Sequence, residues 1–210
     1  MSTAPSQFQT GTSKTLLALG DSYTIGEAVT SDESFPGQTV SMLIEENMYF
    51  DKPDIIAVTG WTTGDLIHAL ELQTPKNGYD IVTLLIGVNN QYQHKSIDNY
   101  RIEFTELLHR AITYAANQRK HVFVLSIPDY SVTPFAASMD TAGISKEIDA
   151  FNVVNRSVSK EAGINYIDIT ATSREAKNNQ GLIAGDGLHP SSAQYTLWSK
   201  LLVSAIKKVF

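Results

Sequence analysis

The sequence has 210 residues, 42% of them hydrophobic and 18% charged, a composition typical of a globular protein that buries a substantial core. Its 22 acidic and 16 basic residues give a formal net charge of −6, which opposes binding to nucleic acid or to anionic membrane surfaces. Because the chain has no cysteine, disulfides, thiolate metal sites and a cysteine nucleophile are excluded. Any nucleophile must therefore be Ser, Thr, Lys or a carboxylate.

The first thirteen residues, MSTAPSQFQTGTS, are polar and lack the basic start and apolar stretch of a secretory signal. They predict a flexible tail over residues 1–13, ahead of a single domain over residues 14–210. No later segment approaches the roughly 18 apolar residues of a membrane span. The expected location is the cytoplasm by default, although a secreted or periplasmic form that has lost its signal peptide would look the same.

After this tail, short apolar runs alternate with longer stretches of helical period, which is typical of βαβ units around a parallel sheet. The predicted strands cover residues 15–19, 54–58, 81–86, 121–126 and 166–169. Helices are predicted behind a Ser96 cap, along the stripe from Ile144 to Val158, and after Pro190, where Trp198, Leu201 and Leu202 are expected to face the core. The fold class is therefore α/β, a three-layer α/β/α sandwich with helices on both faces of the sheet. For the strand order we assume the flavodoxin-like 2-1-3-4-5, which is the commonest arrangement of five such strands.

That strand order brings the loops after strands one, two and three together at the edge where open α/β sheets bind ligands. Strand one runs into Gly20-Asp21-Ser22, which places a hydroxyl at a sharp strand exit. The helix N-terminus that follows favours developing negative charge. Ser22 is therefore a candidate nucleophile, although the same triplet is also an ordinary turn with a helix cap.

Two further loops carry candidate donors for an oxyanion. Gly60 follows strand two, where the backbone N–H of a glycine can approach a ligand closely. Asn89 follows strand three, where its amide can donate to a carbonyl oxygen that becomes negative. Both residues also have a plain structural explanation, because glycine and asparagine are common in turns.

A fourth segment pairs Asp186 with His189 before the last helix. An Asp three residues ahead of a His can accept its Nδ1–H, which leaves Nε2 free to take the Ser22 proton. A histidine in this place also serves as a cap or a packing residue. The remaining histidines lack the paired spacing of metal ligands and predict no metal site: His68, His94, His109 and His121.

Taken together and in this order, the segments around Ser22, Gly60, Asn89 and His189 resemble the four sequence blocks of the SGNH hydrolase superfamily, also called GDSL lipases and esterases. The resemblance implies an ester-cleaving serine hydrolase with no metal or organic cofactor. It implies Ser22 as nucleophile and His189 as general base, oriented by Asp186. It also implies an oxyanion hole made by the N–H groups of Ser22 and Gly60 and the Asn89 side chain.

The sequence departs from the family pattern beside two of these residues. Tyr23 stands where the family name has Leu, and Asn90 stands where many members have Asp. The segment 126–134 also resembles a loop after strand four that borders the pocket in some bacterial members. The residues expected to contact substrate are Tyr23, Trp61, Asn90, Tyr92, Tyr130 and Phe135.

Short connections leave little material for a large lid, so we expect small-molecule esters with short acyl groups. These include acetyl groups on carbohydrate, other short-chain esters and thioesters. One alternative is a flavodoxin-like cofactor-binding module, because residues 22–26 after strand one suit a phosphate at a helix N-terminus. Another is a catalytically silent interaction protein of the same fold. The first leaves the Asp186–His189 pair unexplained, and the second leaves a full set of competent residues unused.

Overall fold

The computed structural model describes residues 13–210, so the tail predicted to be flexible lies outside the described residues except for Ser13. Neighbouring strands are parallel throughout, and their order β2-β1-β3-β4-β5 is the predicted one. The strands are β1 (Leu16–Gly20), β2 (Asp54–Ala57), β3 (Ile81–Leu85), β4 (Val122–Leu125) and β5 (Asn165–Ile167). Their sequence-based bounds differ from these by at most two residues.

The central strands are buried at every position, which explains their continuous apolar runs. The edge strand β2 is only partly buried and ends one residue earlier than predicted. Val58, the residue after it, is exposed and belongs to the loop.

The helices lie beside the sheet in two groups. α2 packs against α8, while α5 packs between α3 and α6. No helix in residues 13–210 combines the length and the apolar character needed to cross a membrane. The helices are α1 (Ser22–Ile25), α2 (Phe35–Glu45), α3 (Thr63–Leu72), α4 (Val88–Tyr92), α5 (Ile97–Tyr114), α6 (Thr141–Ala162), α7 (Thr170–Arg174) and α8 (Ser192–Ile206).

Side-chain caps fix where these helices begin. Ser96 accepts the N–H of Asp98 at 3.3 Å and starts α5, as predicted. Thr62 accepts the N–H of Asp65 at 3.3 Å, and the Asp65 carboxylate accepts the N–H of Thr62 at 2.9 Å. This reciprocal pair anchors α3 directly after the loop that contains Gly60.

One residue of the predicted core stripe in α8 is placed differently. Trp198 and Leu202 are buried, as expected, but Leu201 is 40% exposed. The buried face continues from Leu202 to Ile206 in a step of four residues, whereas Leu201 is rotated by about 100° from Leu202 and lies at the edge of the stripe.

Candidate active site

The carboxyl ends of β1, β2 and β3 meet around one cavity of about 150 Å³, which we call the site cavity. The strand order accounts for this, because β1 lies between β2 and β3. The structure thus brings Ser22, Gly60, Asn89 and His189 together, although they lie far apart in the sequence. The site cavity is lined by Ser22, Tyr23, Thr59, Gly60, Val88, Asn89, Tyr92, Tyr130, Phe135, Leu188 and His189.

Ser22 is held at the exit of β1 by the residue before it. The Asp21 carboxylate caps α1 by accepting the N–H of Tyr23 at 3.0 Å. α1 is only one turn long and ends at Gly26, so the chain leaves the sheet through a tight corner. Ser22 is 4% exposed and lines the cavity, and within residues 13–210 its hydroxyl has no hydrogen-bond partner.

His189 and Asp186 form a close pair. His189 Nδ1 lies 2.5 Å from Asp186 Oδ2, and Asp186 Oδ1 accepts the N–H groups of Leu188 and His189 at 3.0 Å each. Burial alone would raise the pKa of Asp186, but these hydrogen bonds hold it below its ordinary value. An ionised Asp186 places the hydrogen of a neutral imidazole on Nδ1 and leaves Nε2 with its lone pair. The ring is buried and lies 5.3 Å from the Tyr23 ring, centroid to centroid.

Three N–H donors at the site cavity remain available: the backbone N–H groups of Ser22 and Gly60 and one hydrogen of the Asn89 amide. Gly60 has φ +84°, a conformation that favours glycine, and a Cβ placed there would meet no atom within 4 Å. Among the described residues, no acceptor engages the backbone N–H of Gly60 or of Ser22. Asn89 Nδ2 donates to the carbonyl of Trp61 at 2.9 Å, which orients the amide and leaves its second hydrogen available.

Three aromatic rings line one part of the site cavity, which we call the aromatic wall. Tyr92, Tyr130 and Phe135 lie in a triangle with centroid separations of 6.2 Å, 6.2 Å and 6.3 Å. The Phe135 N–H donates to the carbonyl of Gly187 at 3.0 Å, which ties this wall to the loop that carries His189. The cavity is therefore apolar on one side and carries its polar groups on the other.

Two of the predicted substrate contacts lie outside the site cavity lining. Asn90 is 2% exposed; it accepts the N–H of Thr63 at 3.0 Å and donates to the Thr63 hydroxyl at 2.6 Å, so it joins α4 to the start of α3. Trp61 contributes its carbonyl to Asn89, and its ring packs against the core. The Trp61 carbonyl and the Asn90 side chain thus help to fix Asn89 and the start of α3 beside the site cavity.

Sequence reasoning did not single out three lining residues. Thr59, Val88 and Leu188 line the cavity next to Gly60, Asn89 and His189 respectively. The only indication in the sequence that these three residues line the cavity is that each stands next to a predicted site residue.

Asp129 supports the aromatic wall although it does not line the cavity. Its carboxylate is buried and accepts hydrogen bonds from Arg174 Nε at 2.8 Å, the Ser145 hydroxyl at 2.7 Å and the Ser131 N–H at 2.9 Å. Burial alone would raise the pKa of Asp129, but these bonds hold it below its ordinary value. The anchored carboxylate fixes the loop that carries Tyr130.

A five-stranded parallel sheet in this order, flanked by helices, is the fold of SGNH-type hydrolases. The chain belongs to the GDSL-like lipase/acylhydrolase family, whose pattern it matches over residues 18–197, and it is an ester-hydrolysing enzyme. None of the curated protein sequences matches it.

Solved structures share the fold at low sequence identity. TesA is 16% identical with a TM-score of 0.74, covering 94% of this chain and 100% of TesA. The acetyl xylan esterase AlAXEase is 16% identical with a TM-score of 0.72, covering 91% and 98%. The psychrotrophic esterase EstA from Pseudoalteromonas sp. is 18% identical with a TM-score of 0.63, covering 93% and 98%.

Proposed function

We propose that this protein is a serine esterase that releases short acyl groups through an acyl-enzyme on Ser22. One observation carries the proposal: His189, whose Nδ1 lies 2.5 Å from Asp186 Oδ2, lines the same cavity as a serine hydroxyl that no described residue engages. A hydroxyl becomes a useful nucleophile when a base takes its proton as it attacks. Asp186 orients that base.

In the first step, Ser22 Oγ attacks the ester carbonyl carbon while its proton passes to His189 Nε2. The carbonyl oxygen becomes negative and is held by the N–H groups of Ser22 and Gly60 and by the Asn89 amide. Two of these donors belong to the backbone, and the bond to the Trp61 carbonyl holds the third, the Asn89 amide. They therefore reorganise little as charge develops.

The tetrahedral intermediate then breaks its bond to the alcohol oxygen, which takes the proton from His189 as it leaves. Water next gives a proton to His189 and attacks the acyl-enzyme carbonyl. Collapse of this second intermediate releases the carboxylic acid and returns the proton to Ser22. Asp186 stays ionised throughout and stabilises the imidazolium that forms twice per cycle.

The size of the site cavity limits the acyl group. An apolar cavity of about 150 Å³ accommodates benzene in another protein, so a group of about six carbon atoms fits here. We therefore assign acetyl and other short acyl esters as substrates. The likeness to an acetyl xylan esterase makes acetylated xylan one substrate to include in a test series.

The proposal is tested by the hydrolysis of p-nitrophenyl acetate. Ser22→Ala is expected to lower kcat by roughly 10³-fold to 10⁶-fold, because the acyl-enzyme can no longer form. Ser204→Ala, which removes an exposed hydroxyl from α8, is the matched control and is expected to keep the wild-type rate. A Ser22→Ala enzyme with near-normal kcat would overturn the proposal.

Acyl length is tested separately with p-nitrophenyl acetate, octanoate and palmitate. We expect kcat/KM to be highest for acetate and to fall for octanoate and again for palmitate, since acyl chains of more than about six carbon atoms exceed the site cavity. A preference for palmitate would contradict the assignment of short acyl groups while leaving the chemistry of Ser22 intact.

A further inference from the structure

The hydroxyl of Thr63 lies between side chains from two other helices. Asn90, on α4, donates to this hydroxyl from Nδ2 at 2.6 Å, and the hydroxyl itself donates to Glu103 Oε2, on α5. Thr63 is fully buried, Asn90 is 2% exposed and Glu103 is half-buried. These hydrogen bonds therefore join the first residue of α3 to both α4 and α5.

The donors and acceptors of this group fit together in one direction. The backbone N–H of Thr63 donates to Asn90 Oδ1 at 3.0 Å, so a flipped amide would set its NH₂ group against that N–H. Asn90 Nδ2 consequently faces the Thr63 hydroxyl oxygen, which accepts. The single hydrogen of the hydroxyl is left for Glu103, because an ionised carboxylate accepts hydrogen bonds and has no hydrogen to give. With Glu103 on one side, Thr63 needs a donor on the other.

The same hydrogen bonds hold the helix that carries an oxyanion donor. Asn89 precedes Asn90 on α4, and its amide is oriented by the carbonyl of Trp61, two residues before Thr63. Two adjacent residues of α4 thus bind one short stretch of chain, residues 61–63. A shift of α4 along this stretch would change the position from which Asn89 donates its second hydrogen to the oxyanion.

We propose that Glu103 is a positioning residue of the active site. It holds the Thr63 hydroxyl as a donor, it thereby selects an amide at position 90, and the resulting hydrogen bonds set where Asn89 meets the oxyanion. Glu103 does not line the site cavity and acts through Thr63 and Asn90. The inference rests on the proposed function, because it assigns how an oxyanion donor of that reaction is held.

Asn90→Asp tests the direction of the hydrogen bonds. The new carboxylate still accepts the Thr63 N–H, but it competes with Glu103 for the single hydroxyl hydrogen, which leaves one carboxylate against the hydroxyl oxygen. With p-nitrophenyl acetate at about pH 8, where a carboxyl is ordinarily ionised, we expect kcat to fall roughly tenfold with little change in KM. Asn178→Asp adds the same charge at an exposed position and is expected to keep the wild-type kcat.

A second substitution reverses the hydrogen bonds. Glu103→Gln supplies an amide that donates to the Thr63 oxygen, which frees the hydroxyl hydrogen for the new carboxylate. We expect Asn90→Asp/Glu103→Gln to recover kcat to within about threefold of the wild type. Glu103→Gln alone is expected to cost less than about threefold, since its amide oxygen still accepts the Thr63 hydroxyl. An Asn90→Asp enzyme with the wild-type kcat, or a double variant no faster than Asn90→Asp, would overturn the inference.

The Asn89→Ala background shows whether the effect passes through the oxyanion donor. Without the Asn89 amide, Asn90→Asp is expected to lower kcat by less than about threefold further. A full tenfold loss in this background would show that the substitution acts elsewhere in the enzyme and would overturn the positioning role.

Urea unfolding at the same pH measures the coupling without reference to activity. The midpoint of Asn90→Asp is expected to drop, and Glu103→Gln is expected to restore it in the double variant. An equal drop in both proteins would overturn the coupling between positions 90 and 103. The wild-type rate separates the two proposals: if p-nitrophenyl acetate is hydrolysed but the variants show no coupling, only the role of Glu103 fails, whereas an inactive wild type overturns the proposed function and this role with it.

Discussion

At the scale of single residues, the proposed catalysis depends on hydrogen-bond donors that are already held in place before substrate binds. Asn89 is the clearest case, because one amide hydrogen is held by the Trp61 carbonyl and the other is open to the cavity. Its contribution is therefore expected in the transition state rather than in substrate binding.

Replacing Asn89 by Ala tests this role. We expect kcat to fall by roughly 10²-fold to 10³-fold with little change in KM, as for loss of one oxyanion donor. Asn178→Ala, an exposed substitution outside the site cavity, is the control. The role is contradicted if steady-state kinetics give a kcat within threefold of the wild type.

Asp21 gives a second prediction at this scale, and it concerns stability. Burial raises the pKa of Asp21 to about 7, and its Oδ2 has no partner among the described residues. Between about pH 4 and pH 7 the folded protein holds a proton there that the unfolded chain has released. The contribution of Asp21 to the free energy of unfolding is therefore largest at low pH, and it is lost as the pH rises toward 7.

Asp21→Asn keeps the acceptor that caps α1 and removes the titration. We expect the wild type to lose roughly 2 kcal/mol of unfolding free energy relative to this variant between pH 5.5 and pH 8. Urea unfolding of both proteins at the two pH values measures the difference. A difference that stays constant with pH would show that Asp21 is ionised throughout.

At the scale of elements, the corner from β1 into α1 leaves no room for a side chain. A Cβ on Gly20 would lie 2.1 Å from Thr24 Oγ1 and 2.3 Å from the Leu85 carbonyl oxygen. The strand and the helix approach this closely only because the last residue of β1 is glycine.

Gly20→Ala is expected to lower the free energy of unfolding by about 1–3 kcal/mol and to reduce kcat, because the shift displaces Ser22. Gly185→Ala is the matched control for stability, since a Cβ there would meet no atom within 4 Å. Urea unfolding measures both variants. Equal stability of the two would show that the corner relaxes without cost.

The elements that the sequence predicted well are those with a strong local signal. β1, β3 and β4 appear as continuous apolar runs, and Ser96 marks the start of α5. α2 was not predicted, and its burial depends on packing against α8, more than 150 residues away, as in the Thr196–Gln38 hydrogen bond. Leu201 was misplaced because period alone does not locate the edge of a buried stripe.

At the scale of the whole molecule, the strand order turns four distant segments into one site. The alternation of strands and helices predicted a parallel sheet, and the assumed order, the commonest for five such strands, is confirmed; with it Ser22, Gly60, Asn89 and His189 meet at one cavity. Which neighbours of these residues face the cavity was predictable only in part: Tyr23 lines it, as expected. Asn90 turns inward to Thr63, and Gln91 meets Glu147 only because α4 packs on α6.

Activation of Ser22 by the Asp186–His189 pair can be measured by labelling the protein with a fluorophosphonate probe. The probe bonds to an activated serine oxygen, and mass spectrometry of the modified peptide locates the adduct. We predict one adduct on Ser22 that is absent in Ser22→Ala and strongly slowed in His189→Ala. An unlabelled protein, or an adduct on another residue that persists in Ser22→Ala, would contradict the account.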